Sequence, residues 1–256
     1  QENRYGKRDY MKIKAMIDEI NFTTTIIKTY KNNELLETAT GFFYKKLKNN
    51  SCYLITNKHV VQRDEYNPDY IEIRLHKKEK IAKEFNIIRI KIRKNGEKLW
   101  IEYPNPDIYC DVIAIPLCDI MTDENKVLFY NSRITFFTRD NINTIMPSLF
   151  GRVSVIGYPK NFYDKVHNLP IYRQGTIASQ YTVDFMNEPY FLVDARLHNG
   201  MSGSPVVSTE NSYSVIGMGG NNLFGIFSEE HEISNEPLEL NTIWYAQVLL
   251  DITNDT

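Results

Sequence analysis

Short runs of alternating apolar and polar residues fill most of this chain. FTTTIIKTY (22–30) and LLETATGFFYKKL (35–47) are β-branched and aromatic segments separated by the turn KNNE, and they read as two strands. CYLITNKHVV (52–61), YIEIRLHKK (70–78), FNIIRIKIRK (85–94) and KLWIEY (98–103) continue the pattern, with a turn at Asn95-Gly96. VIAIPL (112–117) is a continuous apolar strand. Residues 119–146 are more polar and read as a connection. Strand signals resume with RVSVIGYP (152–159), IYRQGTIASQY (171–181), PYFLVDARL (189–197), SPVVS (204–208) and YSVIGMGG (213–220).

Two segments carry a helical period instead. Tyr10, Ile13, Ile17 and Ile20 recur at spacings of three and four, as do Tyr245, Val248, Leu249 and Ile252. Many short strands with turns between them, and a helix at each end, predict an all-β barrel or sandwich architecture.

Composition narrows the function classes. The chain has 256 residues, enough for one large or two smaller β domains with a core that needs no staples. Its formal net charge is −2, so no basic excess points to nucleic acid. The Lys- and Arg-rich run from Lys77 to Lys98 has acids interleaved and reads as a solvated hairpin surface. No run approaches the ~18 apolar residues of a membrane span, and no secretory leader is expected. Cys52, Cys110 and Cys118 form no CxxC pair and no cluster with metal-ligand spacing, so no metal or other cofactor is expected. Thiols in apolar strands suit a reducing compartment, which makes the cytoplasm the expected location.

The loop NGMSGSPVV (199–207) is where candidate chemistry concentrates. Gly200 and Gly203 tolerate positive φ, and Pro205 opens the outgoing strand. As a plain turn this needs no further role. As a nucleophile loop it would use Ser202 as nucleophile and the amides of Gly200 and Ser202 as oxyanion donors; Ser204, next to Pro205, reads as structural. Acyl transfer by serine also needs a base and a carboxylate to orient it. His59 follows an apolar strand in TNKHVV, where a rigid element would hold it. His76 sits in an exposed-looking basic strand, His167 and His231 in polar loops, and His198 on the same turn as Ser202. Asp111 opens an apolar strand, where an acid must be solvated or paired; Asp107 competes but follows Pro106 in a loop.

These residues together resemble the trypsin-like (chymotrypsin-fold) serine peptidases, in particular the bacterial high-temperature-requirement branch. GMSGSP resembles that family's Gly-x-Ser-Gly-Gly/Ser-Pro signature, TNKHVV its strand-end His, and DVIAIPL its Asp-apolar segment. His59, Asp111 and Ser202 follow the family's order, 52 and 91 residues apart. TGFFY, VSVIGYP, RQGTIAS, VIGMGG and WYAQVLLDI echo further strands and the closing helix. The resemblance implies two packed six-stranded antiparallel β-barrels with an N-terminal and a C-terminal helix. The expected segments are a helical extension over 1–20, a first barrel over 21–118, a connection over 119–146 and a second barrel with its closing helix over 147–256.

The implied activity is peptide-bond hydrolysis through an acyl-enzyme, with a protein or peptide as substrate. Substrate-binding residues are expected at Arg196 and His198 before the nucleophile, and at Gly217, Gly219 and Gly220 in the following strand. The departures from the family matter. Met201 stands where digestive members have the Asp that a new N-terminus activates, so activation by that ion pair is excluded. The disulfide beside the catalytic His is absent. Two other readings stay open: a silent module of the same fold that binds a protein partner, and a latent enzyme whose loop an activating partner orders.

Overall fold

A computed structural model describes residues 17–63, 67–78, 84–142, 147–208, 222–233 and 236–255. The helical extension expected over 1–20 falls mainly outside these residues; its described end is a single 3-10 turn, Glu19–Phe22, capped by the Asp18 carboxylate on the Ile20 N–H. No described helix is long and apolar enough to cross a membrane.

The first half builds one antiparallel sheet. Its main strands are β1 (Thr24–Lys31), β2 (Glu34–Lys46), β3 (Ser51–Asn57), β4 (Tyr70–Lys77) and β5 (Phe85–Lys91). Two-residue strands β6 (Arg93–Lys94) and β7 (Glu97–Lys98) form a separate hairpin, and β8 (Val112–Pro116) follows. The path is β5-β4-β1-β2-β3-β8, with the short β9 (Ser132–Arg133) pairing β4. The β6–β7 turn is where Asn95-Gly96 was expected to turn, with φ +53° and +84°. KLWIEY does not continue as a full strand; beyond β7 it contributes an isolated bridge from Ile101 to Ala114.

The second half closes into a six-stranded barrel. It comprises β10 (Arg152–Gly157), β11 (Ile171–Ile177), β12 (Tyr190–Asp194), β13 (Pro205–Ser208), β14 (Leu223–Ile233) and β15 (Glu236–Tyr245). Their cyclic order is β10-β11-β12-β15-β14-β13. Among the described residues there are four short α-helices: α1 (Lys58–Val61), α2 (Leu117–Ile120), α3 (Asp123–Tyr130) and the closing α4 (Val248–Thr253). The polar stretch expected to be a plain connection thus contains a helix, started by the Thr122 hydroxyl accepting from the Asn125 N–H.

Three apolar clusters explain the strand patterns. One fills the first sheet with Phe43, Leu54, Ile71, Ile73, Ile113 and Ile115. Another fills the closed barrel with Val153, Val155, Phe191, Val193, Met201 and Phe227. The third lies between the halves, where Phe42, Tyr44, Ile55, Val112 and Phe137 meet Ile156, Leu192, Ile226, Trp244 and Leu249. Alternate residues of β2, β3 and β8 therefore enter different clusters, and both faces are buried. This is why VIAIPL reads as a continuous apolar run rather than an alternating one. Strand β5, with one face in solvent, alternates cleanly. Full burial of each large apolar side chain here contributes about 1.5–3 kcal/mol.

His76 departs from its expected exposure. It is buried, stands edge-on to Phe22, and its Nε2 contacts the His167 carbonyl at 2.9 Å. Burial lowers its pKa. His76 lies on the face of β4 opposite the core residues Ile71, Ile73 and Leu75, and is buried because Phe22 and the His167 carbonyl cover it there.

Candidate active site

Strand β3 ends at Asn57, and the single turn α1 begins at Lys58. That break places His59 at the rim of the first sheet. Asp111 lies immediately before β8, the neighbour of β3. Its main-chain carbonyl accepts from the Lys58 N–H at 3.0 Å and from Asn57 Nδ2 at 2.9 Å. Its side chain turns to the histidine. Asp111 Oδ1 accepts from the His59 N–H at 3.0 Å, and Oδ2 lies 2.6 Å from His59 Nδ1. Oδ2 also accepts from the Ser228 hydroxyl at 2.6 Å. With only 3% of its surface exposed, Asp111 depends on these three donors, because an unpaired buried carboxylate is costly. Asp107 is exposed in its loop.

The carboxylate fixes the imidazole tautomer. A charged oxygen at Nδ1 requires the proton there, which leaves Nε2 as the acceptor. Burial acts to lower the His59 pKa, but the hydrogen bond and charge of Asp111 outweigh it, and the net shift is upward.

Ser202 comes from the second barrel, on the loop that enters β13. Two glycines shape this loop. Gly200 has φ +92°, and a Cβ there would stand 2.6 Å from the Tyr158 carbonyl oxygen. Gly203 has φ +85°, and a Cβ there would stand 2.2 Å from the Thr40 carbonyl oxygen. Met201 is wholly buried in the closed-barrel core, so the loop is anchored by an apolar side chain where an ion pair is excluded.

The carbonyls of this loop are held one after another. His198 O accepts from the Met201 N–H at 3.1 Å and Asn199 O from the Lys160 N–H at 2.6 Å. Gly200 O accepts from the Thr40 hydroxyl at 2.8 Å, Met201 O from the Ser204 N–H at 2.9 Å, and Ser202 O from the Thr40 N–H at 3.0 Å. Among the described residues, the N–H groups of Gly200 and Ser202 donate to no protein acceptor. In a planar trans peptide the N–H opposes the C=O, so tying down the Asn199 and Met201 carbonyls sends these two donors the other way.

A cleft of about 970 Å³ brings the two halves of the site together. His59, Gly200, Ser202 and Ser228 all line it. One wall is Glu37, Thr38, Ala39 and Arg63, with Arg63 paired to Glu37 at 2.6 Å; the other is Phe227 to Glu230, with Tyr109 above. Asp111, behind His59, touches the cleft through that ring. No hydrogen bond joins the Ser202 hydroxyl to His59 Nε2 among the described residues; such contacts commonly tighten only when substrate is bound.

The expected substrate-binding residues separate. His198 lines the cleft, its pKa lowered by burial and by the cations Lys160, Arg173 and Arg196. Arg196 is not in the cleft: it lines a second depression of about 320 Å³ with Asp194 and Gln174, because Leu197 takes the inward position beside it. Gly217, Gly219 and Gly220 lie outside the described residues. Among the described residues, strand β14 lines the cleft through Phe227 to Glu230. Ser228 and Thr40 were not singled out in the sequence. The only available signal for either was a small hydroxyl residue interrupting an apolar strand.

No protein-family model matches the chain, and no curated protein matches it by sequence. Solved structures do match it. The serine endoprotease from Yersinia pestis superposes with a TM-score of 0.55 at 16% identity, over 91% of this chain and 62% of that one. The HtrA-type protease AlgW, in a serine-to-alanine form with a tripeptide, gives 0.54 at 15% identity, over 91% and 60%. The chain thus spans about three-fifths of the length of these structures. An open six-strand path, a closed six-stranded barrel and a cleft between them give this chain the two-barrel, chymotrypsin-like fold of the HtrA-type serine proteases.

Proposed function

We propose that this protein is a serine endopeptidase. The carrying observation is the convergence on one cleft of His59, backed by the buried Asp111, with Ser202 and two unengaged amides. In this reading His59 Nε2 removes the Ser202 proton as Oγ attacks the peptide carbonyl. Asp111 holds the Nδ1 proton and stabilises the imidazolium. The Gly200 and Ser202 N–H groups receive the developing oxyanion, and His59 returns its proton to the leaving amine. Water then releases the acyl group by the reverse sequence. His198, at the cleft floor, would contact the substrate, which is a protein or peptide.

The test is labelling by a fluorophosphonate, read by intact mass. One adduct on the wild type and none on Ser202→Ala is the expected result. No adduct on either variant sinks the constitutively active enzyme. The open Ser202–His59 contact favours a second reading, a latent or silent module of the same fold. Repeating the labelling with candidate protein partners separates latent from silent.

A further inference from the structure

The nucleophile loop lacks the buried aspartate ion pair, yet every carbonyl from His198 to Ser202 has a donor. Four of those five donors are main-chain N–H groups. The fifth is the hydroxyl of Thr40, which reaches Gly200 O at 2.8 Å from the opposite barrel. The same oxygen accepts the Tyr158 N–H at 3.1 Å, so the hydroxyl is used in both directions. The Thr40 N–H holds Ser202 O at 3.0 Å, and Thr40 O is held in turn by the Thr56 hydroxyl at 2.9 Å. Thr40 is completely buried. One residue of β2 therefore grips the loop on both sides of Met201 and ties it to the 158–160 turn, whose Lys160 N–H holds Asn199 O.

We infer that Thr40 is a positioning residue: its hydroxyl fixes the Gly200–Met201 peptide through Gly200 O and its N–H fixes Ser202 O, so the backbone angles at Gly200 and Ser202 are held and the adjoining Asn199–Gly200 and Met201–Ser202 peptides keep their amides toward the cleft, in place of the ion pair that Met201 excludes. Gly200 has the widest backbone freedom in the loop, and its carbonyl is the one held by a side chain alone. Without that bond, Gly200 O and the Tyr158 N–H are both buried without a partner. The glycine is then free to rotate toward a conformation that satisfies them, and the two amides lose their shared direction. Thr40 touches no reacting atom.

This inference rests on the serine-peptidase reading for its kinetic arm, and on the loop geometry alone for its structural arm. The kinetic arm compares the wild type, Thr40→Val and Thr40→Ser by the concentration dependence of fluorophosphonate labelling, which separates binding from the bond-forming step. There the Ser202 oxygen bonds to phosphorus, fluoride leaves, and the proton passes to His59. Loss of one oriented donor is expected to slow the maximal labelling rate of Thr40→Val by about 10²-fold with little change in half-saturation. Thr40→Ser, which keeps the hydroxyl, should recover at least about a third of the wild-type rate, a loss of ~0.6 kcal/mol.

The structural arm is amide hydrogen exchange over residues 198–204, which should accelerate in Thr40→Val alone. A folded Thr40→Val that labels within about threefold of wild type overturns the inference and leaves the peptidase reading intact. Unchanged exchange overturns it even if the wild type never labels, an outcome that sinks the peptidase reading separately. Should Thr40→Val not fold, Thr40→Ser decides: a loss as large as tenfold overturns the inference.

Discussion

His59 shows most clearly how the environment sets a side chain's chemistry. Its pKa is raised above the ordinary value of about 6.5 because the adjacent Asp111 favours the imidazolium more than burial disfavours it. A general base must be neutral, so labelling of Ser202 should rise with pH through a midpoint above 6.5. A pH–rate profile that is flat across pH 6–8 contradicts this. The stability sign is opposite. A raised folded-state pKa contributes stability that is fully present below the unfolded value and is lost as pH rises through the folded one. Thermal melts should therefore show the His59 contribution fading as pH rises through that raised pKa, and Asp111→Asn should abolish that slope. The same substitution should slow labelling by about 10³–10⁴-fold, since an amide donor at Nδ1 reverses the tautomer. Gly200→Ala is a backbone case. At φ +92°, with the Tyr158 carbonyl 2.6 Å from the new Cβ, it should cost about 1–3 kcal/mol and lower the melting temperature along with the labelling rate.

At the scale of elements, His59, Asp111 and Ser202 sit at the ends of rigid strands and Ser228 lies within one. β3 delivers His59, β8 is preceded by Asp111, β14 supplies Ser228 and the turn into β13 carries Ser202. The registers Asn57↔Val112 and Pro205↔Ile226 fix those ends relative to each other. Helix α3 is independent of this machinery, so its cap offers a control. Thr122→Ala should cost about 0.5–2 kcal/mol and leave labelling unchanged, as denaturant titration and mass spectrometry would report. The strands legible in the sequence were those with one sharp face, such as β5, or with unbroken apolar runs, such as β8. The β14–β15 hairpin was obscured because a polar stretch, EEHEI to EPLEL, separates its apolar ends, with residues 236–239 exposed. Its apolar ends LFGIF and TIWY carry the packing. Helix α3 was missed because its buried side is almost only Phe129.

At the scale of the molecule, the site exists only because two halves are pressed together. The cluster between them includes Phe42, Phe137, Ile156 and Trp244, and the chain's last segment seals it. Tyr44, from β2, donates its hydroxyl to the buried Asp255 carboxylate at 2.8 Å, joining the end of the chain to the first half. Burial and that carboxylate push the Tyr44 pKa far up, so the phenol keeps the proton it donates as the pH is raised. Tyr44→Phe strands Asp255 and should cost about 1.5–3 kcal/mol. Because the bond lies away from the cleft, labelling at low temperature should survive while the thermal midpoint falls. A loss of labelling with an unchanged midpoint would contradict this assignment.

The sequence by itself determined the all-β class and most of the strands, and it pointed to His59, Asp111 and Ser202, the residues on which the proposed function rests. These are local properties: alternation follows from the two-residue period of a strand, and a histidine, an acid and a serine at strand ends and a glycine turn are readable without coordinates. Tertiary structure alone decided that Arg196 leaves the cleft, that His76 is buried, that Ser228 completes the shell of Asp111, and that Thr40 holds Gly200. The last three depend on residues 91 to 160 positions apart coming within hydrogen-bond reach. Such contacts are fixed by sheet register and by the packing of one half on the other, and no period along the chain encodes them.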